Sequence, residues 1–423
     1  MSRTKSWPLW STTSTKPARP SHHANSQGTA FKNPWPSADP PTWTELLQSK
    51  FPLEWYEDLS KKHPGTRDVK VVVPDWGAAT LKKRGLARDK CIVATALGHA
   101  GVITEQSLES GKSLYVVYDP IFSPRAGPTQ YTGPQRLRGS PCQVTDLPGC
   151  DAVAISHNHY DHLDLPTIQA ILKRFPEARY FVPRGNKSWL CALGIPPDKV
   201  TELDWWQSRN FSAQDFGHPP SVSPTEETLR FTCVPAQHNS GRGALDQGTT
   251  LWCGWVVEQL IGSQDEATLA KARRKSAIFH AGDTGYRRSA SSPAICPIFK
   301  EIGENLGPFD ISFVPIWRGG SLGFISRLGL RLSHDAVPSA LHASPGDALD
   351  IHREVRSKNT IAIHFGSFVG SENESLEAVL EFEEEREERS ILELEGGEDA
   401  GKGRAGMVDI GGSFAVEVGV EDA

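Results

Sequence analysis

Residues 156–164 read Ser-His-Asn-His-Tyr-Asp-His-Leu-Asp, which gathers three histidines and two aspartates into nine positions. The run follows Asp151-Ala-Val-Ala-Ile155, an apolar stretch with the pattern of a buried strand. His157 and His159 stand two residues apart, so in extended backbone both imidazoles point to the same side and can share one ion. Asp161 and His162 come where the chain leaves the strand and can turn towards a second ion nearby. With nothing bound, this many polar groups packed together would be costly to desolvate. Imidazole nitrogens with a few carboxylate oxygens and no thiolate form the ligand set of catalytic zinc, with iron and manganese as the other candidates.

The rest of the chain delivers ligand-type residues at the same kind of place. The apolar run Leu229–Gln237 ends at His238, Ser276–Gly282 ends at Asp283, and Asn359–Ile363 ends at His364. In layered α/β folds, sites gather at the edge where strands stop and loops begin. Asp283 lies in Ala281-Gly-Asp-Thr-Gly285, whose glycines allow close backbone approach. A turn alone would explain such a stretch, but its place in this series makes Asp283 a bridging carboxylate. His280, three residues earlier, is expected to be a packed core histidine. His22, His23, His63 and His218 are expected to be surface or loop residues without a role.

These residues need strands to hold them. Runs rich in β-branched residues predict strands at Val69–Pro74, Ile92–Leu97, Leu114–Asp119, Ala152–Ile155, Tyr180–Val182, Leu229–Pro235, Leu251–Glu258, Ala277–His280, Ile311–Ile316 and Thr360–His364. Helical spacing appears at Pro166–Phe175, Ala267–Arg274, Pro345–Val355 and after Ser371, where Ser371-x-x-Glu374 spells a capping box. Strands mixed with helices throughout predict one layered α/β domain over residues 41–395. Residues 1–40 read as a disordered or targeting tail, and 396–423 as a flexible loop (Gly396–Gly406) followed by closing strands within Val408–Val418. The acidic stretch Glu381–Glu395 reads as a solvated helix face.

A net charge of −6 on 423 residues gives no whole-chain reason to bind nucleic acid. Seven scattered cysteines with no C-x-x-C pair argue for a reducing, intracellular compartment. No run approaches the roughly 18 to 20 apolar residues that span a bilayer, so the expectation is a cytoplasmic or peripheral membrane protein. The first 38 residues carry Arg3, Lys5, Lys16, Arg19 and Lys32 and no acidic residue before Asp39. That composition suits a mitochondrial transit peptide, although the many prolines favour a disordered tail. Trp7 and Trp10 leave a weak membrane-surface contact open.

Together Leu97-Gly-His-Ala100, Asp119-Pro-Ile-Phe-Ser123 with Arg125-Ala126, Gly133-Pro134, His157-Asn-His-Tyr-Asp-His162, Pro235-Ala-Gln-His238, Ala281-Gly-Asp-Thr-Gly-Tyr286 and Ile363-His-Phe-Gly366 resemble the metallo-β-lactamase superfamily. Within it the pattern is most similar to the phospholipase D family that hydrolyses N-acylphosphatidylethanolamine. The resemblance runs from about Trp35 to His364 and beyond. It implies a four-layer αββα sandwich with two zinc ions at one edge. His157, His159 and His238 would hold one ion, and Asp161, His162 and His364 the other, with Asp283 bridging. Asp161, Asp283 and His342 would carry the reaction. Tyr160 falls where the family has an aromatic residue near the metals, and Arg242 at a position that could hold a phosphate. Departures from the family pattern at Asn239, where an aromatic residue is expected, and at Leu341, where a polar one is, put lipid selectivity in doubt.

Two zinc ions sharing a water would lower its pKa and turn it on a phosphodiester, releasing phosphatidic acid and an N-acylethanolamine. A phospholipid substrate calls for a membrane-touching surface. The stretch Gly320–Leu332, with Leu322, Phe324, Ile325 and Leu328 beside Arg327 and Arg331, offers one, a buried segment near the site being the alternative. Family members can dimerise, so a homodimer is compatible with the resemblance. The competing functions are a soluble lactonase or small-molecule phosphodiesterase with the same site, and a lipid-binding protein that has lost turnover.

Overall fold

Strands buried at every position, such as Gly254–Ile261, need cover on both faces. The chain supplies it by stacking two sheets and packing helices on their outer sides. The computed structural model describes residues 20–40, 42–48, 53–55, 58–66, 68–220, 226–262, 272–290, 292–317, 330–332, 341–396 and 401–419.

Among the described residues there are sixteen strands. The first is β1 (Leu53–Trp55), followed by β2 (Cys91–Gly98), β3 (Gly101–Ser107), β4 (Ser113–Tyr118), β5 (Ala152–Ala154), β6 (Arg179–Pro183), β7 (Val200–Leu203) and β8 (Ser208–Phe211). The second half holds β9 (Glu227–Val234), β10 (Gly254–Ile261), β11 (Arg273–His280), β12 (Ile311–Pro315), β13 (Leu330–Leu332), β14 (Asn359–Ile363), β15 (Arg404–Gly406) and β16 (Ser413–Glu417). One seven-stranded sheet has the order β16-β2-β3-β4-β5-β6-β7, the other β15-β14-β12-β11-β10-β9-β8, and β1 pairs with β13. Each large sheet is mixed. Strands β4 to β7 run parallel, as do β11, β12, β14 and β15, while the remaining neighbours are antiparallel.

Aromatic residues fill the space between the sheets. Phe181 of β6 stacks on Phe231 of β9 with ring centroids 3.8 Å apart, and Trp255 of β10 stands edge-on to Phe181. Three short helices precede the first large sheet in sequence: α1 (Trp43–Gln48), α2 (Leu59–Lys62) and α3 (Ala78–Arg84). The outer face of the first sheet is covered by α4 (Leu165–Arg174) and α5 (Lys187–Ala192), whose Ile168, Ile171 and Leu190 cluster with Val153, Tyr180 and Val182. The second is covered by α6 (Ile298–Asn305), α7 (Pro345–Glu354) and α8 (Glu372–Glu388), through Phe299, Leu349 and Phe382 against Phe279 and Val314. The result is the expected αββα sandwich. No described helix is long and apolar enough to cross a membrane.

Two hydrogen bonds lock the sheets together near one edge. Trp255 Nε1 donates to Ile155 O at 2.8 Å. His280 Nε2 donates to Ala100 O at 3.0 Å while its Nδ1 accepts from Gly282 N, which makes it the buried structural histidine that its strand position predicts.

Several expectations are corrected. Val69–Pro74 is not a strand: Val71 makes one isolated bridge to Ile410, and Val73 is 86% exposed. Arg273 and Arg274 begin β11 instead of ending a helix, and residues 263–271 lie outside the described residues. Arg404–Gly406, expected in a loop, is the edge strand β15, because Ala405 and Gly406 are buried beside β14. The closing strand pair is a single strand, β16, laid along β2. The hairpin partner β3 escaped notice because only His99-Ala100 separates it from β2. Of the tail, residues 20–40 are packed, with Phe31 and Ser37 buried, whereas 1–19 lie outside the described residues.

Phe231→Ala is expected to cost about 3–5 kcal/mol of unfolding free energy, since the ring is fully buried and has no replacement. Urea titration followed by tryptophan fluorescence measures it; a loss below about 1 kcal/mol would contradict this packing.

Candidate metal centre

Parallel strands bring their carboxyl-terminal ends to one edge, and the titratable residues sit there. Asp119 follows β4 directly, and His157 follows β5 after two residues. In the other sheet His238, Asp283 and His364 follow β9, β11 and β14 within four residues. His99 occupies the turn between β2 and β3. Three of these residues hold left-handed backbone that side chains rarely adopt: His99 (φ 57), Asp119 (φ 39) and His364 (φ 61). Such strain collects where surrounding structure dictates an orientation.

The donor atoms converge in two adjoining groups. In one, His157 Nε2 lies 2.8 Å from His159 Nδ1, and His238 Nε2 lies 3.3 Å from that same atom. In the other, His162 Nε2 is 3.7 Å and His364 Nε2 is 3.8 Å from Asp161 Oδ2. Asp283 Oδ2 stands between the groups, at 3.1 Å from His162, 3.0 Å from His364, 3.6 Å from His238 and 3.9 Å from His157. Around a tetrahedral ion with bonds of about 2.0–2.1 Å, neighbouring donors are about 3.4 Å apart. The observed separations bracket that value.

The surroundings fit a divalent ion in each group. His162 Nε2, His364 Nε2 and Asp283 Oδ1 are buried and lack a hydrogen-bond partner among the described residues, a costly state unless a cation faces them. In three of the rings, those of His157, His162 and His238, the opposite nitrogen is held. His162 Nδ1 donates to Asp119 Oδ2 at 2.8 Å. Ser156 Oγ donates to the same carboxylate at 2.6 Å and sits 2.8 Å from His157 Nδ1. His238 Nδ1 donates to Leu341 O at 2.9 Å. Fixing one nitrogen aims the other, which is how outer partners orient metal-binding histidines.

Charge divides the two groups. Burial holds the imidazoles of His157, His159 and His238 below their ordinary value, keeping them neutral with lone pairs free. Burial opposes protonation of His162 and His364 too, yet Asp283 foremost and then Asp161 outweigh it, raising His162 and bringing His364 to about 9. Burial likewise opposes ionisation of Asp161 and Asp283, but the charge of His162 keeps both well below the carboxylate range. One group is therefore uncharged, and the other sets two imidazolium rings against two carboxylates.

His342 stands at the rim, its Nε2 3.3 Å from Asp283 Oδ2 and its ring stacked on His364 at 5.1 Å. Arg242 is turned into the protein. Its Nε donates to Asn158 O at 2.7 Å, its Nη2 donates to Leu163 O, and its guanidinium lies over Tyr160 and Trp189. It buckles the loop that carries His157–His162. Tyr160 is half-buried beneath that guanidinium. Phe324 lies outside the described residues.

Two residues in stretches that the sequence singled out carry more than was assigned to them. Asp119 sets a ring of each group. His99 Nε2 bonds Asp161 Oδ2 at 2.9 Å, its carbonyl accepts from His364 N, and its N–H donates to Ser367 Oγ. The available signal for Asp119 was its place at a strand end, as with the other members. His22 and His23, expected at the surface, are buried against Asp204.

A family profile described as "Beta-lactamase superfamily domain" matches residues 115–365, more than half of the chain. The chain belongs to the β-lactamase superfamily. It is 35% identical over 281 residues to N-acyl-phosphatidylethanolamine-hydrolyzing phospholipase D 1 of Caenorhabditis elegans, covering 66% of this chain and 64% of that protein. It is 28% identical over 256 residues to the mitochondrial enzyme of that name from Saccharomyces cerevisiae, covering 60% of this chain and 44% of that one. The match thus spans less than two thirds of either relative. Among solved structures, isothiocyanate hydrolase from Delia radicum gut bacteria aligns with TM-score 0.47 and 16% identity, over 77% of this chain and 99% of that one.

Gly282 tests how this superfamily edge is assembled. Its φ is +60°, and a Cβ there would meet Ser156 Cβ at 2.5 Å. Gly282→Ala is expected to push the Asp283 loop off the Ser156 loop and lower bound metal at least tenfold in a chain that keeps its secondary structure. Metal analysis alongside circular dichroism checks this; undiminished metal would mean the two loops are free to part.

Proposed function

We propose that this chain is a hydrolase with two zinc ions, acting on the phosphodiester of N-acylphosphatidylethanolamine at a membrane surface to yield N-acylethanolamine and phosphatidic acid. The observation that carries the reading is the shared position of Asp283 Oδ2, within 3.0–3.9 Å of four imidazole nitrogens from two clusters. Similarity to the worm and yeast phospholipases supports the substrate class.

His157, His159 and His238 would hold one ion, Asp161, His162 and His364 the other, with Asp283 common to both. When bound, such ions act as Lewis acids on a phosphoryl group and supply a water of lowered pKa. The chain's own part is orientation and proton handling. Asp119 and Ser156 fix the tautomers of His157 and His162, and His99 holds the Asp161 carboxylate in place. His342, with an 18% exposed side chain at the rim, is the group placed to pass a proton to a departing alkoxide. Leu341 contributes a carbonyl, which any side chain at that position would leave available.

Zinc-loaded protein incubated with detergent-dispersed N-acylphosphatidylethanolamine is expected to release both products, read by mass spectrometry. Asp283→Asn and His162→Ala are each expected to lower turnover by at least about a thousandfold with the fold intact, since nucleophile and charge clamp are lost together. Near-normal activity in either would remove the site assignment. Two bound metals without product would pass the lead to a lactone or a small phosphodiester.

His342→Gln separates the proton role from metal binding. It is expected to reduce turnover by about 100-fold or more, the range of a lost general acid, while leaving metal content unchanged. Loss of metal in this variant would make His342 a ligand instead.

A further inference from the structure

His22, His23 and Asp204 form a buried cluster outside the metal centre. His22 Nε2 lies 2.7 Å from Asp204 Oδ1, and His23 Nε2 lies 2.7 Å from Oδ2. The rings stand edge to face with centroids 4.6 Å apart, much as His157 and His238 do. A further ion is not what this cluster is built for. Asp204 Oδ1 also accepts from Trp205 N at 2.9 Å, and the Arg184 guanidinium lies 3.4 Å from Oδ2. The carboxylate is already satisfied and has a cation beside it, so the cluster is a hydrogen-bonded clasp.

The chain that this clasp anchors runs to the metal centre. Phe31 N donates to Gly248 O at 2.7 Å, and a Cβ on Gly248 (φ +68°) would come within 2.8 Å of Phe31 O. Trp35 stacks on Trp205, the neighbour of the clasp carboxylate. Asn33 Nδ2 donates to the carbonyl of His238 at 2.7 Å. Ser37 Oγ donates to Gln237 Oε1 at 2.5 Å, and Gln237 Nε2 donates back to Ser37 O. Residues 237–248 thus meet the segment at both ends, and His238 lies within one of the two contacts. All of these segment residues precede the stretch matched by the superfamily profile.

The geometry points to residues 20–38 as a strap that holds the three-histidine half of the metal centre, with Asn33 as the positioning residue for His238. The inference rests on His238 being a metal ligand. The strap reaches His238 from the backbone side, whereas Leu341 O holds its ring. Nothing in the strap bonds Asp161, His162 or His364 among the described residues, so its loss should be felt by one ion and not the other.

The test is a zinc titration of metal-free full-length protein against a chromophoric chelator, comparing wild type with Asn33→Ala, His22→Phe and His238→Ala. The last variant identifies the binding step that belongs to the three-histidine group. His22→Phe keeps a ring on Trp205, which His22 faces at 4.2 Å, while removing the donor to Asp204. Both strap variants are expected to weaken that one step by about 10- to 100-fold, the usual effect of removing an outer partner, and to leave the other step unchanged. Two tight steps in both variants would overturn the strap, and so would equal weakening of both steps, which is what general destabilisation produces. A third tight step in wild type that disappears in His22→Phe would make the cluster an ion site and overturn the clasp. Wild type that binds no zinc would instead remove the metal reading on which the strap rests.

Discussion

Asp283 is an ionised carboxylate 3% exposed, held among imidazoles at the seam between two sheets. Burying such a charge is costly unless opposite charge and directed donors surround it, and much of the local architecture answers that demand. His162 and His364 take up positive charge beside it. Asp119, also buried, steadies His162 from behind. The three-histidine group stays neutral, so the charged side chains are confined to one side. A cation entering from solvent therefore meets a graded site, one half presenting lone pairs and the other presenting charge.

Holding that arrangement requires backbone conformations that isolated strands would not choose. His99, Asp119 and His364 are left-handed, and Gly282 is a position where a side chain has no room. The cross-sheet bonds of Trp255 and His280 compensate by fixing both strand edges. His280 is informative here. Its nitrogens are spent on Ala100 O and Gly282 N, so a histidine three residues from Asp283 contributes registration of the loops and no ligand.

The sequence made the site more legible than the connections behind it. Ligand-type residues recur at the ends of apolar runs, and that pattern led to His157, His238, Asp283 and His364 together. Asp119 obeys the same rule but stands alone after its strand, where a single aspartate looks like a turn residue. His22 and His23 were harder still. They lie in a tail poor in apolar residues, and their partner, Asp204, is about 180 residues away in sequence. Local spacing carries no trace of such a pairing. The same limit explains β15, three residues whose burial comes from a neighbour rather than from their own pattern. Val69–Pro74 failed in the opposite direction, since its valines have strand propensity but almost no partner strand.

The outermost pairing of the first sheet joins strands more than 300 residues apart in sequence. Strand β16, Ser413–Glu417, lies along β2, Cys91–Gly98, and beside it Val72 N donates to Ile410 O while Ile410 N donates to Lys70 O. During synthesis β2 therefore waits for more than 300 further residues before its free edge is covered. An uncovered edge is a template for pairing with another chain, and contacts this distant in sequence form slowly. The most hazardous interval for this protein is thus the time between the making of its first sheet strand and its last, when the nascent chain presents an open apolar edge next to an unfinished cluster of buried charge.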